Sequence, residues 1–268
     1  MGVYEGYYLY CDLDGTLYDD DKRVSAENRA AIDSFVRQGG RFGVATGRAP
    51  SIIGEIEKNL PVNAPCILFN GAGLYDLRNK RFLSMHPADP VQTERITARA
   101  VALNGRACPQ IFTEDGIYEI NPNQRDDPQT IIERMHTVHT SIDLVPRPFL
   151  KFLIAHESEE LDALQLALER EGYYEGFAVF RSSEAYLEFV AQGVNKGAAL
   201  ADVRARCSNV KKILAIGDYN NDLEMVALAD IGGAPANAID EVKSVADIVL
   251  TASNNESCVA RFLESVLD

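Results

Sequence analysis

Asp12-Leu13-Asp14-Gly15-Thr16, preceded by the apolar run Tyr7 to Cys11, decides how the rest of the chain is read. The run is short and continuous and breaks abruptly into acidic residues and glycine, the pattern of a buried strand ending in a polar loop. Three further segments repeat that plan. Phe42 to Ala45 runs into Thr46-Gly47-Arg48, Cys66 to Phe69 into Asn70-Gly71, and Ile213 to Ile216 into Gly217-Asp218. Between the first two, Ser25 to Gln38 reads as a helix with Ser25 as its N-cap and Gly39-Gly40 as its stop. Apolar strands alternating with helices predict an α/β fold with a parallel sheet covered on both faces, in which ligands gather beyond the carboxyl ends of the strands. All four polar loops lie at those ends, so they converge on one expected site.

The middle of the chain follows a different pattern. Cys108 to Thr113 and Gly116 to Ile120 form a strand pair around Glu114-Asp115, and further strands are expected at Phe149 to Ala155, Phe177 to Phe180 and Tyr186 to Val190. Helical stretches at Pro90 to Leu103, Pro128 to Val138 and Ser158 to Glu171 alternate with them, which predicts an α+β domain with an antiparallel sheet. The organisation expected is a catalytic core of residues 1–82 and 190–268, with residues 83–189 inserted as a second domain.

Two carboxylates two residues apart in a strand-end turn can divide labour. One attacks phosphorus as a nucleophile; the other protonates the leaving oxygen and then deprotonates water. Two close anions resist a phosphate, so this chemistry calls for a divalent cation. A bare Asp-Gly is commonly only a turn, but turn chemistry does not account for all five residues in this order. Thr46 ends a strand with Pro50 suited to the first turn of the following helix, so its hydroxyl and the next backbone N–H are candidates to bind phosphate oxygen. A strand-end hydroxyl bonded to backbone is the plainer alternative. Lys196, just ahead of a helix in Val194-Asn195-Lys196-Gly197, is a point charge able to hold both Asp12 and a phosphoryl group. The alternative is an exposed lysine, although a helix amino terminus disfavours positive charge. Asp218 and Asp222 supply acidic oxygens of the kind magnesium prefers.

These motifs together resemble the haloacid dehalogenase superfamily of phosphatases, whose first motif is Asp-x-Asp-Gly-Thr after a first strand. Thr46 with Gly47 matches the second motif, Lys196 the third, and Gly217-Asp218-Tyr219-Asn220-Asn221-Asp222 with Met225 the fourth. The spacing is similar to that of the Cof-type branch with a large type-2 (C2B) cap, which implies a Rossmann-like core with an inserted α+β cap. The resemblance implies Asp12 as nucleophile, Asp14 as general acid and base, and Thr46 and Lys196 as partners of the phosphoryl group. It implies Mg²⁺ held by Asp12, the backbone carbonyl of Asp14, and Asp218, with Asp222 steadying the site through metal waters or Lys196. Arg48 belongs to a Thr-Gly-Arg signature and is either a substrate contact or a structural partner of an acidic loop. Asn70-Gly71 matches a turn of this branch where Asn70 faces substrate; Asn221 is expected either to bind phosphate or to orient its loop. Ser257-Cys258-Val259 departs from the branch's usual Asp-Gly-Val, so altered turn chemistry and packing are expected there, away from the four motifs.

The family implies small phosphorylated substrates, sugar phosphates or phosphorylated cofactors such as pyridoxal phosphate or flavin mononucleotide. Lys151, Arg181 and Glu188 are candidate contacts to the leaving group on a cap whose closure excludes water. A sugar phosphomutase using the same aspartyl phosphate and a non-catalytic phosphometabolite-binding protein are the competing readings.

Bulk properties fit this picture. A chain of 268 residues can bury a full core, and 46% hydrophobic with 25% charged residues is ordinary for a globular enzyme. A formal net charge of -14 argues against nucleic acid as a partner, so any phosphate must be met locally. Five widely spaced cysteines without a CxxC pair argue against a disulfide framework or a zinc site and suit a reducing cytoplasm. Cys11 reads as a small buried hydrophobe pointing away from Asp12. No run reaches the roughly 18 apolar residues of a membrane span, and no membrane partner is expected. His136 and His139 offer two ligands without a third and read as solvent-facing. Gly71-x-Gly73 lacks the third glycine of a dinucleotide fingerprint, and no Walker loop is present. Oligomeric state has no signature in the sequence.

Overall fold

The computed structural model describes residues 2–50, 53, 60–121 and 137–267. The chain divides into two compact units, one formed by Met1–Arg48, Ile53–Ser84 and Asn195–Asp268, the other by Ala49–Ile52 and Met85–Val194.

The first unit is built on a five-stranded sheet in the order Ile248–Val249, Ile231–Ala234, Lys212–Ile216, Tyr7–Cys11, Arg41–Val44. All four pairings are parallel, as expected for Tyr7–Cys11, Arg41–Val44 and Lys212–Ile216, and Ile231–Ala234 and Ile248–Val249 extend the sheet beyond the strands read from the sequence. Leu9, Cys11, Phe42, Val44, Leu214 and Ile216 are fully buried. Each large side chain among them contributes about 1.5–3 kcal/mol by leaving water, so a charge at Leu9 or Leu214 would break the centre of the sheet. The strand order turns at Tyr7–Cys11, whose chain successor Arg41–Val44 lies on one side while the distant Lys212–Ile216 lies on the other. This is the crevice-forming switch point of an open parallel sheet.

The helix Ala26–Arg37 is capped by Ser25, whose Oγ accepts the Asn28 N–H at 3.1 Å. It buries Asn28, Ile32 and Phe35, one stripe at helical spacing, and packs against the C-terminal helix Cys258–Leu267. Its end is closed by Gly39 and Gly40, whose N–H groups donate to Val36 and Phe35 carbonyls. Cys66–Leu68 departs from the expected plan. It joins the parallel sheet by one bridge, Ala45 to Ile67, and otherwise pairs antiparallel with Gly73–Asp76. Residues Phe69 and Asn70 cause this, because their left-handed backbone (φ 52° and 55°) folds the chain straight back.

The second unit carries a six-stranded sheet in the order Phe177–Ser183, Tyr186–Ala191, Phe149–Ala155, Cys108–Thr113, Ile117–Glu119, Thr137–His139. The pairs are antiparallel except the last, Ile117–Glu119 with Thr137–His139. Helices Pro90–Leu103 and Ser158–Arg170 contribute Ile96, Ala100, Leu161, Leu164 and Leu168 to a core shared with Ile111, Phe152, Ile154 and Phe189 on the sheet. Strand alternation puts Lys151 and Glu188 on the opposite face, where they form a buried ion pair of 2.9 Å. Arg181 reaches Asp162 at 3.0 Å and the Glu184 carbonyl at 2.5 Å.

The helix expected over Pro128 to Val138 is corrected at its end, where Thr137–His139 is a strand; adjacent Thr137 and Val138, both β-branched, favour that state. The remainder of that stretch, His136 included, lies outside the described residues. His139 places Nδ1 3.0 Å from Glu119. Four cysteines are buried and Cys207 is partly so, all as free thiols. Among the described residues no helix is long and apolar enough to cross a membrane.

Candidate active site

Asp12 leaves the sheet one residue beyond Cys11, and its N–H still donates to the Ile216 carbonyl at 3.0 Å. The ladder that pairs Cys11 with Ile216 therefore delivers Asp12 beside Gly217 and Asp218. The turn behind Asp12 is shaped for close approach. Gly15 has φ 78°, and a Cβ there would lie 2.4 Å from Asp218 Oδ2, so only glycine fits. Thr16, fully buried, donates from Oγ1 to Asp218 Oδ1 at 2.7 Å. The Asp-Gly-Thr portion of the opening motif thus seats Asp218, a function of Thr16 that spacing alone did not reveal.

Lys196 begins the helix Lys196–Arg206, whose N-cap Asn195 accepts the Ala198 N–H. Its side chain is fully buried, which removes the exposed-lysine alternative. Nζ donates to Asp12 Oδ1 and to Asp222 Oδ1, each at 2.6 Å. Burial works against the ammonium, but Asp12 and Asp222 outweigh it and hold Lys196 above its ordinary range. Asp222 is fully engaged, because its Oδ2 accepts the Asp218 and Tyr219 N–H groups at 3.0 and 3.2 Å. Asp12 is pushed well up by burial and by the neighbouring carboxylates of Asp222, Asp218 and Asp14, against the pull of Lys196. Burial and Asp222 likewise raise Asp218, to about 7.

Three carboxylates, Asp12, Asp218 and Asp222, present oxygens within 4.8 Å of one another and face the single ammonium of Lys196. Two negative charges remain unanswered when all three are ionised. A hard divalent cation with oxygen ligands fits that donor set in charge and chemistry. With Asp222 committed to Lys196 and two N–H groups, Asp12 and Asp218 are the side chains with oxygen to offer.

Asp14 is held separately. Arg48 donates Nε to Oδ2 at 3.0 Å and a terminal nitrogen to Oδ1 at 2.9 Å, and Lys22 donates to Oδ1 at 2.6 Å. Burial raises the Asp14 carboxyl, yet Arg48 and Lys22 overcome it and bring it below the ordinary value. Arg48 thus pairs with the carboxylate of the loop that opens the site. Thr46 is buried at the end of Arg41–Val44 plus one bridge residue; its N–H donates to Ile67 and its Oγ1 accepts the Arg48 N–H at 3.2 Å. Asn70, also buried, donates its N–H to the Thr46 carbonyl and accepts from Asn221 Nδ2 at 3.0 Å. Gly71 (φ 104°) lets the backbone of Asn195 approach, since a Cβ would lie 2.2 Å from that carbonyl oxygen. A Cβ on Gly47 would sit 3.0 Å from Asn70 Oδ1. These contacts tie the second, third and fourth loops into one rim.

Several residues at this rim carry no signal in the sequence. Asn237 Nδ2 donates to the Gly15 carbonyl at 2.8 Å, and Asn254 and Asn255 hold the Asp20 carboxylate. At the atypical Ser257-Cys258, Ser257 adopts φ 60° and donates to Glu27 at 2.6 Å, while the Cys258 thiol lies 3.2 Å from the Thr16 carbonyl. Burial, then Asp218, pushes that thiol up to about 12, which makes it a neutral packing group behind the turn.

The haloacid dehalogenase-like hydrolase family model matches residues 9–263. The chain belongs to that family. Among solved structures, a haloacid dehalogenase-like hydrolase of Bacteroides thetaiotaomicron superposes with a TM-score of 0.83 at 25% identity, covering 98% of this chain and 99% of that one. A Thermotoga maritima protein gives a TM-score of 0.80 at 30% identity, covering 98% and 97%. A 5-amino-6-(5-phospho-D-ribitylamino)uracil phosphatase of Bacillus subtilis is 28% identical over 96% of each chain. The fold of this haloacid dehalogenase-like hydrolase is accordingly the parallel-sheet core of its family with an additional α+β unit.

Proposed function

We propose that the chain is a phosphatase that hydrolyses small phosphomonoesters through covalent phosphorylation of Asp12. The observation that supports this most is the nucleophile's geometry. Lys196 grips Asp12 through Oδ1 at 2.6 Å, and Oδ2 accepts no hydrogen bond among the described residues. A buried carboxylate held by one oxygen and free at the other is pre-oriented for attack.

In the first half, Asp12 Oδ2 attacks phosphorus, the bond to the ester oxygen breaks, and Asp14 delivers a proton to the departing alkoxide. In the second, water gives a proton to Asp14 and attacks phosphorus, the bond to Asp12 breaks, and phosphate leaves. Lys196 stabilises charge on the transferring group while keeping Asp12 aligned, and the Thr46 hydroxyl with the Gly47 N–H meets a phosphoryl oxygen. Arg48, Asn70, Gly71 and Asn221 complete the phosphate rim. The ion pairs on Asp14 suit its ionised role in the second half; for the first, an arriving phosphate dianion competes for Arg48 and loosens that grip. Mg²⁺, held by Asp12, the backbone carbonyl of Asp14, and Asp218, with Asp222 behind them, would neutralise the acidic cluster and the substrate's charge.

The test is a panel of sugar phosphates, pyridoxal phosphate, flavin mononucleotide and ribityl phosphates, assayed with Mg²⁺ for free phosphate and for isomerised sugar phosphate. The panel includes ribityl phosphates because Bacillus subtilis relatives carry that activity in their names. Release of free phosphate is expected. Isomerisation with little phosphate released would replace the reading with a mutase, and binding without turnover would replace it with a non-catalytic binder.

A further inference from the structure

Asp14 is contacted by two cations in different ways, and the difference assigns them different tasks. Arg48 spans both carboxylate oxygens, whereas Lys22 touches Oδ1 alone at 2.6 Å. If Arg48 is drawn to an incoming phosphate, Oδ2 is released and Oδ1 is not. Resting on the phosphatase reading above, we propose that Lys22 is a positioning residue for Asp14. It anchors Oδ1 so that Oδ2 remains aimed at the leaving oxygen after Arg48 has let go.

The loop that carries Lys22 is built to hold it there. Lys22 has φ 60°, a left-handed conformation uncommon for a residue with a Cβ. The Lys22 N–H closes a turn on the Asp19 carbonyl at 2.9 Å, the Asp19 N–H donates to the Arg23 carbonyl at 2.9 Å, and Asp19 Oδ1 accepts the Arg23 N–H at 2.8 Å. From outside, Asn254 and Asn255 donate to the two oxygens of Asp20 at 3.1 and 3.0 Å, and the Asp20 N–H donates to Asn255 Oδ1 at 3.0 Å. Asn254 is buried and also reaches the Tyr18 carbonyl at 3.2 Å. A segment more than 230 positions away in sequence thus holds the entry to the turn at Tyr18 and Asp20. Such bracing has little purpose for a solvated lysine, because an ion pair this exposed adds little to stability by itself.

The role separates from substrate binding and from bulk structure by leaving-group dependence. An aryl phosphate such as 4-nitrophenyl phosphate departs without a proton, whereas an alkyl phosphate needs one. Lys22→Met should lower kcat on an alkyl phosphate by about 10- to 100-fold with KM changed less than about threefold, and lower kcat on the aryl ester far less. Lys22→Arg, which restores the charge, should recover most of the loss, and thermal melting should find all three proteins equally folded. A rise in KM at constant kcat would make Lys22 a substrate contact and overturn the proposal, as would equal losses on both esters or no loss at all. A wild-type protein inactive on both esters would overturn the phosphatase reading itself; an active wild type with an unaffected Lys22→Met variant overturns the positioning role alone.

Discussion

Replacing Lys196 by methionine removes the one ammonium that two buried carboxylates share. Nζ lies 2.6 Å from Asp12 and from Asp222, with the Lys196 and Asp222 side chains wholly buried and that of Asp12 nearly so. Breaking a buried pair from one side leaves charge without compensation and costs about 3–5 kcal/mol, a large fraction of the roughly 5–15 kcal/mol that holds a domain folded. The raised Lys196 value sets the pH at which to look. Its stabilisation is fully present below the unfolded value of about 10.4 and is lost only as pH rises through the higher folded value, so neutral pH reports the whole effect. Urea unfolding of wild type, Lys196→Met, Asp222→Asn and the double variant would measure it. Adding Asp222→Asn to Lys196→Met should return part of the loss, because it removes one uncompensated charge, and the non-additivity should exceed about 1 kcal/mol. Activity of Lys196→Met should fall by about 10²–10³-fold, the usual consequence of deleting a preorganised electrostatic partner. A stability loss below about 1 kcal/mol, the scale of a surface pair, with activity kept, would refute the reasoning.

Millimolar Mg²⁺ should raise the melting temperature of wild type at pH 8 and do so much less at pH 5, where protons compete for Asp12 and for Asp218, itself raised to about 7 by burial and Asp222; Asp218→Asn should abolish most of the shift, and an undiminished shift in that variant would contradict the assignment. Asp230 braces the start of the Lys212–Ile216 strand, accepting Ile213 N–H and Arg204 at 2.6 Å each, and these bonds outweigh burial to lower its carboxyl. Its stabilisation is present above the unfolded value of about 3.9 and disappears as pH falls through the folded value. Melts of Asp230→Asn should therefore lie below wild type at pH 6 by the equivalent of about 1 kcal/mol, discounted for partial exposure, and converge with wild type near pH 2.

The centre of the sheet was legible because burial on both faces demands unbroken apolar strands, and Tyr7–Cys11, Arg41–Val44 and Lys212–Ile216 run into Asp12, Thr46 and Gly217-Asp218; Ile231–Ala234, half glycine, and the two-residue Ile248–Val249 gave no such signal. Asp12, Thr46, Asn70 and Asp218 could be named together for that reason, and Lys196 from its place ahead of a helix and its match to the third motif. Cys66–Leu68 reads as a further parallel strand from its apolar run alone; the reversal at Phe69 and Asn70 depends on left-handed backbone at a Phe, which no residue preference announces. Thr137–His139 was obscured because three residues are too few to establish a period and their pairing partner lies elsewhere. Lys22, Asn237, Asn254 and Asn255 had no signal either. They sit in aperiodic loops, and their function comes from contacts across the sequence that only the folded chain creates.

Covalent phosphorylation of Asp12 is read out by trapping the intermediate. The protein would be mixed with a radiolabelled phosphomonoester and Mg²⁺, quenched in acid during turnover, digested and mapped. Label is expected on the peptide that contains Asp12, and none on Asp12→Asn, which should be folded and inactive. Label on a different residue, or full turnover by Asp12→Asn, would contradict it.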